Sequence, residues 1–141
     1  FAKRSRRMNK KITLTYRGAV LSKKNSKRVI RNRSNGKIML VSNKAAKNNE
    51  NDMTDQFRVQ TLGQTSPIEK CEISIALYEP NKQRRDLDNQ ATSILDSLAR
   101  AEVIQDDSYK CVVAVGVKFA GIDRKDPRAE ITITEVEQND G

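Results

Sequence analysis

Between Cys71 and Ala101 the apolar residues change their spacing once, and that change constrains most of what the chain can fold into. In "CEISIALYEP" the residues Cys71, Ile73, Ile75 and Leu77 alternate with polar neighbours, the pattern of a strand with one face on a core, and Pro80 closes it. Over residues 89–101, Ala91, Ile94, Leu95, Leu98 and Ala101 then recur at helical spacing, with Asp88 in the N-cap position. A half-buried strand followed by an amphipathic helix requires helix packed on sheet.

The rest of the chain supplies the other layers. "KITLTYRG" puts Ile12, Leu14 and Tyr16 on one side of a first strand that ends at Gly18. Residues 19–41 are strongly basic and contain the turn signal Asn35-Gly36, which reads as a loop followed by a short hairpin-like excursion. From Ser42 to about Gln60 there is helical potential, with Ser42 as N-cap and Ala46, Met53 and Phe57 near one face. Its interior "KNNENDMTDQ" is rich in poor helix formers, so packing of that thin stripe must stabilise it. "YKCVVAVGVKF" and "RAEITITEVE" finish as two strands joined through a "GIDRKDP" turn. The expectation is an α+β fold, a mixed β-sheet with two helices packed on it, in the order β-α-β-α-β-β. At 141 residues the chain has the length of one domain. Residues 1–7, "FAKRSRR", read as a basic arm or a vector-derived segment before a natural start at Met8, and residues 8–141 as a single domain.

Composition narrows the chemistry. The chain has no histidine, which excludes a Ser-His-Asp triad, a histidine base and the usual Cys/His zinc site, so hydrolysis would have to run on carboxylates, lysine or metal. Cys71 and Cys111 each lie in an apolar, strand-like segment and read as buried and reduced, which suits an intracellular, cytoplasmic protein. The longest apolar run, Cys111 to Val117, is far short of the roughly 20 residues of a membrane-spanning helix. With 27 Lys and Arg against 18 Asp and Glu, nucleic acid is the first partner to consider.

Against that basic background the acids of "RRDLDNQATSILDSLARAEVIQDD" stand out. Asp86 and Asp88, two apart, present both carboxylates to one side of an extended segment, where they repel unless a hard divalent cation joins them. One acid could simply cap the helix, but capping accounts for neither Asp86 nor the second pair, Asp106 and Asp107. Both readings stand on the residues alone: a metal centre, or a cap and a solvated turn. Arg84 and Arg85 are placed to clamp phosphates, and Lys23, Lys24, Asn25, Lys27 and Arg28 to hold a flanking nucleic-acid arm; the alternative is a solvated basic loop.

The longer pattern resembles the RusA-type Holliday junction resolvases. The likeness rests on "RRDLDN", a short helix holding Asp96 and Leu98, "DD", a Val-rich strand and a closing "EITITE" strand. It covers about Cys71 to Glu137, with a fainter echo in "LSKKN". The family's members are small homodimers, common in phages and prophages, that cut four-way DNA junctions using Mg²⁺. The resemblance implies that Asp86, Asp88 and Asp107 hold the metal, with Asn89 and Asp106 beside them. Mn²⁺ is expected to substitute for Mg²⁺. The family usually has a lysine four residues after the second aspartate of "DLD"; this chain has Thr92, which supplies no cation. The function expected is thus a Mg²⁺-dependent endonuclease for branched DNA. The alternatives are a weak or inactive junction-binding protein, or a nuclease for flaps, forks or duplex. Whether Asp107 reaches Asp86 and Asp88 within one chain or across a dimer stays open, with the single-chain return preferred because "EVIQDD" lacks turn residues until its end.

Overall fold

The computed structural model describes residues 10–21, 27–31, 38–42 and 44–137. Its elements are β1 (Lys11–Arg17), β2 (Lys27–Arg31), β3 (Ile38–Ser42), α1 (Lys44–Gln60), β4 (Cys71–Glu79), α2 (Leu87–Arg100), β5 (Val112–Ile122) and β6 (Arg128–Glu135). A mixed four-stranded sheet has the order β1-β6-β4-β5, and β2 with β3 forms a separate antiparallel ribbon, the hairpin-like excursion within the basic stretch.

The α+β class and the order of sheet strands and helices agree with the sequence reading, and the neighbours of the last two strands are the new information. Strands β5 and β6 are joined by the "GIDRKDP" turn yet do not pair. Strand β6 inserts between β1 and β4, antiparallel to both, while β5 lies parallel to β4 on its far side. Ile75 therefore sits beside Ile131 on one flank and Val117 on the other.

One face of this sheet carries Leu14, Tyr16, Ile73, Ile75, Leu77, Ala129, Ile131 and Ile133. They form a single cluster with Met53 and Phe57 of α1 and Ile94 and Leu98 of α2. Each fully buried side chain of this size contributes about 1.5–3 kcal/mol. The polar interior of α1 is thus held by its thin stripe of Ala46, Met53 and Phe57, joined by Thr54. Ser42 is not at its N-cap position: it ends β3, paired with Lys27, and the helix starts at Lys44. Cys71 and Cys111 are free and buried, and burial, followed by the neighbouring Cys111, pushes the Cys71 thiol up to about 12. Among the described residues no helix is long and apolar enough to cross a membrane.

The two outer strands are finished differently. On β1, Gln60 accepts from the Thr15 N–H at 2.9 Å and donates to its carbonyl at 2.7 Å, and Gln56 accepts from the Arg17 N–H at 2.9 Å, so α1 occupies the edge. On β5, Val113, Val115 and Phe119 are exposed. Long apolar edges of this kind are what sheet proteins ordinarily protect.

Candidate active site

Helix α2 positions the acids at its start. The helix begins at Leu87, so the N-cap is Asp86 rather than Asp88, with extended backbone (φ −88°, ψ 119°). The difference arises because the apolar spacing marks where the buried face begins, at Ala91, and about one helical turn precedes it. Asp86 makes no side-chain capping hydrogen bond. Its Oδ2 accepts instead from Asn89 Nδ2 at 3.3 Å, while Asp88 Oδ1 accepts from the Asn89 N–H at 3.0 Å. Asn89 thus contacts both aspartates. Asp86 and Asp88 are exposed, and so is Thr92, whose hydroxyl donates to the Asp88 carbonyl at 3.0 Å.

Asp88, Thr92 and Asp96 follow at i, i+4 and i+8, one stripe of the helix surface. Asp96 lies about 12 Å from Asp88 along the axis, at 1.5 Å per residue. At the far end the helix closes with Val103 N–H to Leu98 O at 3.0 Å and Glu102 N–H to Ala99 O at 3.0 Å, with Glu102 at φ 61°. This is the usual left-handed reversal, made here by a non-glycine residue. It sends Val103 and Ile104 back into the core, where Ile104 bridges to Ile68, and it delivers Asp106 and Asp107 alongside the helix.

The return stops at Asp96. Asp107 shares a side-chain hydrogen bond with Asp96; that bond, then burial and the Asp96 charge, push its carboxyl up to about 6. Asp106 moves the other way, held below the usual carboxylate range by Ser108 and by the Asp107 N–H, which donates to its Oδ1 at 2.9 Å. Two acids that share a hydrogen bond suit a hard cation, which would relieve their repulsion, and oxygen ligands without histidine match magnesium. Yet Asp107 meets Asp96, not Asp86 and Asp88. Among the described residues no group of three or more Asp, Glu or Cys is placed to hold a metal ion.

The two arginines before Asp86 diverge. Arg84 is exposed. Arg85 is folded inward, its side chain 14% accessible, with Nη1 at 3.6 Å from Glu79 Oε1 and 3.2 Å from Asn81 Oδ1. Of the basic-stretch residues, Lys23, Lys24 and Asn25 lie outside the described residues, while Lys27 and Arg28 are on β2. Sequence reasoning passed over Glu79 and Gln90, both buried. Glu79 had a signal: it stands in the inward phase of Cys71, Ile73, Ile75 and Leu77, where an acid needs a partner.

The family described as Endodeoxyribonuclease RusA matches residues 8–134. No curated protein matches the chain.

Proposed function

The chain belongs to the RusA endodeoxyribonuclease family, and from that membership we propose that it resolves four-way (Holliday) DNA junctions by paired, Mg²⁺-dependent nicking. The observation that supports this most is the acidic stripe of α2: exposed Asp86 and Asp88 at its start, and Asp96 joined by Asp107 further along, in a chain of net charge +9. Asp86, Asp88 and Asp107 would hold the cation. Bound Mg²⁺, or Mn²⁺ in its place, supplies a water of lowered pKa and neutralises charge at the phosphate. The chain's own groups bind and orient. Asn89 fixes the Asp86 carboxylate, and exposed Arg84 meets a backbone phosphate. Lys23, Lys24, Asn25, Lys27 and Arg28 grip a flanking arm, with recognition by shape and backbone charge.

A homodimer is part of this reading. Gln56 and Gln60 occupy the outer edge of β1, whereas Val113, Val115 and Phe119 leave the β5 side apolar and exposed, a surface suited to a second copy. Paired nicking of a four-way junction needs two centres, which a twofold dimer supplies.

A second reading draws on Thr92, whose hydroxyl is turned back to the helix and brings no cation: a protein that binds junctions without cutting them. Incubation with an end-labelled junction and its duplex arm, with and without Mg²⁺, separates the two. Symmetric nicks in the junction alone, only with Mg²⁺, are expected. A retarded but uncut junction would establish the binding-only reading, and equal cutting of duplex would remove junction selectivity.

A further inference from the structure

Glu79 ends β4 at 6% exposure, a carboxylate in the phase of the core. It is held by two groups from the site segment. Gln90 Nε2 donates to its Oε2 at 2.9 Å, and Arg85 Nη1 lies 3.6 Å from its Oε1. Gln90, 1% exposed in the second turn of α2, also donates from Nε2 to the carbonyl of Val20 at 3.0 Å. Both amide protons are thereby used, and Gln90 Oε1 is buried without a hydrogen-bond partner. Reversing the amide would set its oxygen against two acceptors, so this orientation is fixed by chemistry.

Val20 is the root of the basic stretch. Asn49 secures its neighbours, accepting from the Leu21 N–H at 3.0 Å and donating to the Ala19 carbonyl at 2.6 Å. Gln90 therefore joins three things: the end of β4, the helix that carries Asp88, and the point where the basic stretch leaves the core. A buried carboxylate and an orphaned amide oxygen are poor choices for stability, since apolar residues of similar size fill such space at less cost.

We propose that Glu79, Gln90 and Arg85 form a positioning unit, with Gln90 as its hub, that fixes the Asp86–Asp88 segment relative to the root of the basic stretch. In it Arg85 holds the 80–86 loop and leaves phosphate contact to Arg84. The role in cleavage rests on the nuclease reading; the role in geometry does not.

The test is the double variant Glu79→Leu/Gln90→Leu, which removes both partners at once, studied in the full chain. Its melting temperature should stay close to that of the wild type, because loss of the buried carboxylate and the orphaned amide oxygen offsets the donor that the Val20 carbonyl loses. Amide hydrogen exchange over residues 19–21 and 80–88 should speed up about tenfold, and the single-turnover junction cleavage rate should fall about tenfold or more, as misplacement of reacting groups does. Junction affinity without Mg²⁺ should stay within about threefold, a split that general loss of structure would not give. Should the double variant melt early, Glu79→Gln carries the same readouts, keeping an acceptor for Gln90 while removing the charge that faces Arg85. Wild-type exchange in these segments, or a wild-type cleavage rate, overturns the proposal. If the wild type itself cuts no junction, the nuclease reading fails and the exchange measurement still decides this one.

Discussion

Asp107 is hydrogen-bonded to Asp96, on the same stripe of α2 as Asp88 but about two turns, or 12 Å, further along. That pairing makes stability depend on pH. The Asp107 carboxyl, pushed up to about 6 by its bond to Asp96 and by burial, keeps its proton in the folded chain after the unfolded chain, near pH 4, has lost it. The folded state binds more protons in that window, so stability falls as pH rises from about 4 to about 6 and stays lower above it. Asp107→Asn should match the wild type below pH 4 and melt higher above pH 6 in metal-free buffer. Asp107 is exposed and Asp96 half-buried, so solvent screening holds the gain to roughly 0.5–1 kcal/mol. Melting curves that run parallel across this range would contradict the pairing.

A divalent cation should replace the shared proton. At pH 7 and ten times its dissociation constant, Mg²⁺ should stabilise the chain by about 1.4 kcal/mol, an effect weakened at pH 4, where Asp107 holds its proton. Asp107→Asn should lose most of that response. Calorimetric titration with the metal alone measures it without any DNA, and an identical Mg²⁺ response in the variant would remove Asp107 from the ligand set.

The adjacent arginines should respond in opposite ways. Arg84 is exposed, so Arg84→Ala should leave melting unchanged, weaken junction binding and lower the salt dependence of affinity by about one phosphate contact. Arg85 neutralises Glu79, so Arg85→Ala should cost about 1–3 kcal/mol of stability, chiefly because a buried carboxylate loses a partner. Denaturant melts and binding at several salt concentrations separate them. The reverse assignment of effects would mean that Arg85 turns outward on DNA.

What the sequence made legible was what periodicity encodes. Alternation identified the inward residues Leu14 and Tyr16 of β1 and Cys71, Ile73, Ile75 and Leu77 of β4, and helical spacing identified Ile94 and Leu98, because each reports which face meets the core. Alternation says nothing of which strand lies alongside, and so the insertion of β6 between β1 and β4 was not visible. The acids were visible as a pattern within a basic chain, but their grouping was not. The reversal at Glu102 lacks a glycine or proline to mark it, and its position decides that Asp107 returns to Asp96. Arg84 and Arg85 look alike in a string; burial of Glu79 is what separates them.

Thr92 offers a gain-of-function test. It lies between Asp88 and Asp96 on the exposed stripe, where a lysine would bring positive charge to the scissile phosphate. Thr92→Lys should speed cleavage, with each tenfold corresponding to about 1.4 kcal/mol of transition-state stabilisation. A single-turnover rate equal to that of the wild type would show that another cation, such as Arg84 or Lys110, already serves.

One metal centre must draw its ligands from one chain or from two. Oxygen ligands lie only about 2.0–2.6 Å from Mg²⁺ or Ca²⁺, so one ion cannot touch both Asp88 and an Asp107 held at Asp96, about 12 Å along the same helix. The single-chain return preferred from the sequence thus delivers Asp107 short of Asp88, and sharing across two chains becomes the expectation. Mixing Asp88→Asn and Asp107→Asn subunits tests it. If each centre takes Asp88 from one chain and Asp107 from the other, one of the two centres in the mixed dimer has both substituted positions and the other has neither. Such a dimer should nick one strand of a labelled junction without resolving it. If each chain builds its own centre, every centre lacks a ligand, and the mixture should leave the junction intact, as either variant does alone. An uncut junction in the mixture, with heterodimer formation verified by tagged subunits, would return Asp107 to its own chain's Asp88 and require the 102–107 segment to move when metal binds.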